Sequence, residues 1–195
     1  GILYGSSMRS AVVVLLAVAL LSACAGKKPV IPAGTLWDEG NEAMKDSAYE
    51  LAVEKYKALL DQYPFDENAE QAELKIAQAY FYAERYPEAI AAFADFERMH
   101  PTSANLAEIE YRRGMAYVAQ HKTADRDTQA ITQALASFKN IVDRYPTSPW
   151  AERARLRIQE CREIQASHDA GVAEFYLKRG SLRAAESRLR GLLSE

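Results

Sequence analysis

Two thiols, three imidazoles and scattered carboxylates are the groups in this 195-residue sequence that could do chemistry. Cys24 and Cys161 are too few for a disulfide scaffold or a four-ligand zinc site. His100, His121 and His168 lie far apart, show no metal-ligand spacing and read as loop or helix-end residues. Glu108 and Glu110 stand two apart on a helical stretch, so they do not face each other. Ser167, His168 and Asp169 are chain neighbours, not a triad. No phosphate-cradling glycine loop, no G-x-S-x-G and no H-E-x-x-H occurs. Cys161 falls on a helical stretch and reads as a small core or groove residue. These patterns argue against an enzyme, and they imply neither cofactor nor metal.

Cys24 differs because of what precedes it. Residues 11–21 read AVVVLLAVALL, an unbroken apolar run. A bilayer-spanning helix takes about 20 residues, so this run suits a signal-peptide h-region, with Arg9 as its basic flank. Leu21-Ser22-Ala23-Cys24 follows. Small residues let a peptidase bind the extended chain, and the Cys24 thiol can carry a diacylglyceryl thioether. The segment resembles a bacterial lipobox, which implies a signal peptide over 1–23, cleavage before Cys24 and acylation there. Several acyl chains hold firmly where one does not, since each buried CH₂ contributes about 0.8 kcal/mol. Ala25-Gly26 carries no Asp, which by analogy with enteric lipoproteins favours the outer membrane. Gly1–Ser7 precede the first methionine, so the expected start is Met8.

Residues 24–35 form the expected lipidated N-terminus and tether, rich in Pro, Gly and Lys without apolar period. Fully extended at about 3.1 Å per residue, the eleven residues 25–35 reach roughly 30 Å. Lys27 and Lys28 read as solvated linker residues, with contact to anionic lipid as the alternative. The net charge is -3, too little positive charge to neutralise a phosphate backbone, so nucleic acid is not an expected partner. Hydrophobic residues make up 49% of the chain, which excludes disorder by composition.

From residue 36 onward the sequence repeats. Tyr63-Pro64, His100-Pro101 and Tyr145-Pro146 each close an apolar stretch. Ahead of them lie Ala52, Tyr56, Leu59 and Leu60; then Ala89, Phe93 and Phe96; then Ala134, Phe138, Ile141 and Val142. Each set marks one face of a helix, and the proline stops it. Gly40, Ala77 and Gly114 recur every 37 residues on a preceding helix, where small side chains permit close approach. Tyr80 and Tyr117 follow Ala77 and Gly114 by three, with Ala43 in that place in the first unit. This resembles the tetratricopeptide repeat of about 34 residues. It predicts an all-α superhelix of helical hairpins over 36–195, with about four repeats visible and the last incomplete.

The third unit is longer, and the polar run His121–Gln129 reads as an inserted loop. In the fourth, Ala173, Tyr176, Ala185, Leu189 and Leu192 restore the pattern, with Gly180 at the turn. Ala173 sits about four helical turns beyond the frame that ends at Pro146, which predicts one long helix from about Ser148 to Arg179. Ser148 suits its N-cap and Pro149 its first turn. The charged run 152–163 reads as solvated or partner-facing. The stop inside the second helix of unit four leads us to expect at least one further repeat in the intact protein.

Eleven tyrosines, six phenylalanines and two tryptophans exceed what the repeat cores absorb. Tyr80, Phe81 and Tyr82 are consecutive, so they cannot share one buried stripe. Tyr80, Tyr82, Tyr111 and Arg112 are candidates for a peptide-binding groove, with packing of Tyr82 and Tyr111 between repeats as the alternative.

Lipobox, tether and repeats together resemble the BamD family of outer-membrane β-barrel assembly lipoproteins. The stretches QYPF (62–65), AYFYAERYPEAIAAFADFERMHPT (79–102), YRRGMA (111–116), DRD (125–127) and VAEFYLKRG (172–180) carry the likeness. The resemblance implies a periplasmic scaffold, lipid-anchored to the outer membrane. It implies docking of the C-terminal repeats on POTRA domains of a barrel-forming subunit, contact with accessory Bam lipoproteins, and N-terminal repeats that receive signals from unfolded β-barrel precursors. It places Arg188, with Arg179 and Tyr176, on the partner-binding side, and makes Cys24 the lipid anchor. Two rivals stand beside it: another repeat scaffold (a secretin or pilus pilotin, or a cell-division coordinator) and a helical-repeat enzyme of the envelope acting on peptidoglycan.

Overall fold

Residues 30–123 and 128–194 are described in a computed structural model of the chain. Cys24 and the whole signal segment lie outside them, as does most of the tether. The chain divides into units 1–32 and 33–195, and all the helices below belong to the second.

Eight helices follow one another among the described residues, and no strand occurs there. They are α1 (Ala33–Lys45), α2 (Tyr49–Gln62), α3 (Ala69–Tyr82), α4 (Tyr86–Met99), α5 (Leu106–Thr123), α6 (Thr128–Arg144), α7 (Pro149–Lys178) and α8 (Leu182–Ser194). Each packs on the next, and short connections make neighbours antiparallel. Tyr63, His100 and Tyr145 are the residues where α2, α4 and α6 end, each just before a proline.

Three of the turns inside hairpins are built alike. Ser47, Glu84 and Gly180 take the left-handed conformation, at φ 60°, 60° and 73°. The next backbone N–H in each turn reaches back five residues: Ala48 to the Ala43 carbonyl at 2.8 Å, Arg85 to Tyr80 at 2.9 Å, Ser181 to Tyr176 at 3.0 Å. This Schellman closure satisfies carbonyls that the helix end leaves free.

The hairpin interiors rest on a small residue against an aromatic ring. Tyr56, Phe93 and Phe138 are each 0% exposed. A Cβ added to Gly40 would stand 2.5 Å from the Tyr56 ring, and one added to Gly114 would stand 2.6 Å from Phe138. Ala77 occupies the same place in the second hairpin and packs in one cluster with Phe93. A second cluster joins Ile131, Ala134, Phe138 and Ile141 of α6 to Ala151, Ala154 and Cys161 of α7.

The long helix spans the range its phase predicts. Ser148 caps it: its Oγ accepts a hydrogen bond from Trp150 N at 3.2 Å, and Pro149 occupies the first turn. Ala173 and Ala185 are buried, so the small-residue frame of the fourth hairpin holds, while Leu189 stays 41% exposed.

Three expectations need correction. The insert is not a loop over His121–Gln129: α5 runs to Thr123 and α6 starts at Thr128, leaving only 124–127 outside the described residues. His, Lys and Gln prolong a helix readily once an apolar face holds it. Helix α1 begins at Ala33, so residues 33–35 are helical rather than tether. His168 lies inside α7, not at a helix end.

Opposite signs are expected at two helical glycines. Gly114→Ala should lower stability by about 1–3 kcal/mol, because the clash with buried Phe138 outweighs the gain in helix propensity. Gly171→Ala, with nothing within 4 Å of the added Cβ, should raise it by about 0.5–1 kcal/mol. Phe93→Ala should cost about 3–5 kcal/mol. Urea midpoints check all three; equal midpoints would mean the repeat frame is wrong.

Candidate functional site

The sequence candidates fall into three places along the array. The first is the C-terminal end of α3. Tyr80 is half-buried; its hydroxyl accepts a hydrogen bond from Lys57 Nζ at 2.8 Å, and the Arg85 guanidinium lies 4.8 Å over its ring. Two cations thus meet one tyrosine, Arg85 being paired in turn with Glu88 at 2.7 Å. Tyr82, 47% exposed, stacks on Tyr49 at 5.7 Å and 27°. Phe81 meets both Tyr82 and Tyr86 edge-on. Tyr82 thus bridges α3 to the start of α2 and still shows an open face.

The second place is the middle of α5. Tyr111 sits between Phe138 of α6 and Trp150 of α7, with ring centroids 5.6 and 5.1 Å away. Its hydroxyl accepts from Arg157 Nε at 3.3 Å. Tyr111 therefore packs between the third hairpin and α7. Arg112 pairs with Glu108 one turn earlier, at 2.7 Å. The contacts of Tyr80 and Tyr82 on one side and of Tyr111 and Arg112 on the other involve different partners.

The third place is a groove of about 1050 Å³ between the end of α5 and the second half of α7. His121, Glu163, His168, Val172, Phe175 and Tyr176 are among its lining. Phe175 is 50% exposed; the Arg179 guanidinium covers its ring at 4.5 Å, and Tyr176 meets it edge-on at 5.7 Å. Phe175 is thus what brings Tyr176 and Arg179 together. Sequence reasoning did not select it, although a consecutive Phe-Tyr pair signals that one ring must turn outward. Arg188 on α8 is exposed and reaches back to Asp169 of α7 at 3.5 Å. At that length and exposure the pair holds Arg188 only loosely. Exposed Leu177 and Leu182 flank the same end.

Among the described residues no group of three His, Cys, Asp or Glu side chains could hold a metal ion. No described helix is long and apolar enough to cross a membrane. Cys161 is buried in the α6–α7 core, and burial pushes its thiol up to about 11. The aromatic and guanidinium groups left at the surface are of types that suit protein recognition.

The sequence profile of the YfiO family, described as an outer membrane lipoprotein, matches residues 30–195. The chain belongs to this family. Among its relatives, the outer membrane protein assembly factor BamD of Vibrio cholerae is 32% identical over 191 residues, covering 91% of this chain and 79% of that one. The BamD of Neisseria gonorrhoeae is 29% identical, covering 81% of this chain and 63% of that one. That of Caulobacter vibrioides is 27% identical, covering 92% and 61%. The chain thus spans less than two thirds of the Neisseria and Caulobacter relatives.

Solved structures show the same fold in proteins of remote sequence. The TPR2AB domain of yeast Sti1, solved with an HSP90 partner, superposes with a TM-score of 0.55 at 16% identity, covering 83% of this chain and 63% of that one. The first TPR of Spaghetti gives 0.52 at 19% identity, covering 69% and 93%. The architecture of this YfiO-family member is accordingly that of an all-α tetratricopeptide array.

The buried thiol gives a direct check. In a Cys24→Ala background, Cys161 should resist a disulfide reagent at pH 8 in the folded protein and react quickly in denaturant. Fast modification of the folded chain would contradict its place in the core.

Proposed function

We propose that this chain is a scaffold of the β-barrel assembly machinery, lipid-anchored through Cys24 to the periplasmic face of the outer membrane, and not an enzyme. The observation that carries the reading is the family match over residues 30–195, with relatives named as outer membrane protein assembly factors. The aromatic and basic surfaces support it, since rings and guanidinium groups offer binding area for protein segments.

The two ends of the array divide the work in this reading. The α7–α8 end, with Tyr176, Arg179 and Arg188, docks on POTRA domains of the barrel-forming subunit. Arg188 is suited to this: its pairing with Asp169 is long and exposed, so the guanidinium can exchange that carboxylate for one on a partner. The shelf of Tyr80 and Tyr82, with Tyr111 and Arg112 on the following repeat, receives segments of unfolded β-barrel precursors. Tyr111 contributes mainly by fixing α5 against α7, because its ring and hydroxyl are already engaged. Accessory Bam lipoproteins are further partners.

Two variants test the reading. Cys24→Ala should leave an uncleaved or soluble, unlipidated chain; normal recovery with outer membranes would overturn the anchor. Arg188→Glu should weaken binding to purified POTRA domains about tenfold or more, with helical content by circular dichroism unchanged. Undiminished binding would remove Arg188 from the interface.

A further inference from the structure

The joint between the second and third hairpins holds a cluster of charges that binding of partners does not explain. Glu97, near the end of α4, faces Arg113 of α5, with Oε2 3.3 Å from Nη1. Arg113 Nη2 pairs with Glu110 Oε1 at 2.5 Å. Asn140 of α6 donates to Glu110 Oε2 at 2.9 Å. Glu110 is buried at 4% exposed. Glu97 Oε1 and Arg113 Nε are both buried without a hydrogen-bond partner. A cavity of about 70 Å³ lies against Glu97 and Glu110, closed by Leu106, Arg144 and Tyr145 among others.

The charges do not balance inside the joint. One enclosed guanidinium, Arg113, serves two carboxylates. Arg144, the other cation facing Glu97, comes from the end of α6 and is exposed, so water screens it. Tyr117 of α5 faces Arg113. Neighbours of Glu97 on α4 point elsewhere: Arg98 pairs with Asp95 at the surface. Beyond the helix end, His100 is taken by Glu73 of α3 at 2.6 Å.

We propose that Glu97, set beside the buried Glu110 carboxylate, is a proton-binding site that makes the joint between the second and third hairpins sensitive to pH. With a proton on Glu97, Arg113 is left to serve Glu110 alone. Without it, two carboxylates repel across the joint, and the adjoining cavity admits water to solvate them. The hairpins then separate more easily, which changes the spacing of the surfaces on either side of α5.

Burial and the neighbouring Glu110 push Glu97 up to about 7, against the pull of Arg113. A carboxyl raised in the folded state lends stability that is full below its ordinary value and lost as pH rises through the raised one. The window is therefore about pH 4.5 to 7.

The experiment uses the full chain and Glu97→Gln, whose amide stands in for the protonated carboxyl. Thermal midpoints are measured from pH 5 to pH 8, and spin labels at exposed Gln71 and Lys139 report the distance between the hairpins. The wild-type midpoint should fall by about 5 °C more than that of Glu97→Gln across this range, with a broader label distance at pH 8. The variant should keep one narrow distance at both pH values. Parallel midpoint curves, or a wild-type distance that does not respond to pH, would overturn the proposal. So would failure of Glu97→Gln to fold, because a neutral isostere should fit the site.

Discussion

How closely the two helices of a hairpin approach is set by one contact, a small residue facing one aromatic ring. At Gly40 and Gly114 there is no room even for a methyl group against Tyr56 and Phe138. Close approach lets the rings be fully buried, and burying such a side chain contributes roughly 1.5–3 kcal/mol. Each hairpin alone would still leave its outer apolar face in water. Stacking on the next hairpin covers it, which is why Phe96 and Ile109, from successive hairpins, share one cluster. The array, its joints and its exposed surfaces all follow from that packing unit.

If the chain is the scaffold proposed above, its work falls to surfaces that the packing leaves over. The core consumes Tyr56, Phe93 and Phe138, and the α5–α7 contact consumes Tyr111. Among the surfaces left outside are a Tyr80–Tyr82 shelf edged by Lys57 and Arg85, and a groove edged by Phe175 and Arg179. Both combine rings with cations, a chemistry suited to binding protein segments. The buried charges at Glu97, Glu110 and Arg113 lie between these two surfaces along the chain, so any change at that joint alters their relation.

Much of this was legible in the sequence because repetition exposes it. The 37-residue recurrence of Gly40, Ala77 and Gly114 marked the close contacts. The phase of Ala173, with Ser148-Pro149 as a start signal, gave the long α7 almost to the residue. Other features had no local signature. Ser47 and Glu84 adopt the same left-handed turn as Gly180, but only glycine advertises that conformation. The polar run after His121 looked like a loop because polarity, not helix-breaking, was its visible property. Glu110 falls four after Leu106 and four before Gly114, on the buried face; that register was the overlooked signal of the charge cluster. Tyr111 could serve a groove or a joint by sequence, and only the positions of Phe138 and Trp150 decide where it packs.

The central claim, an assembly scaffold rather than an enzyme or a scaffold of another machine, is tested most directly by its partners. The lipidated protein would be captured from detergent-solubilised envelopes and its stoichiometric companions identified by mass spectrometry. The account predicts a POTRA-bearing barrel protein in equimolar amount. A secretin or a cell-division protein in its place would contradict it, while leaving the repeat fold intact.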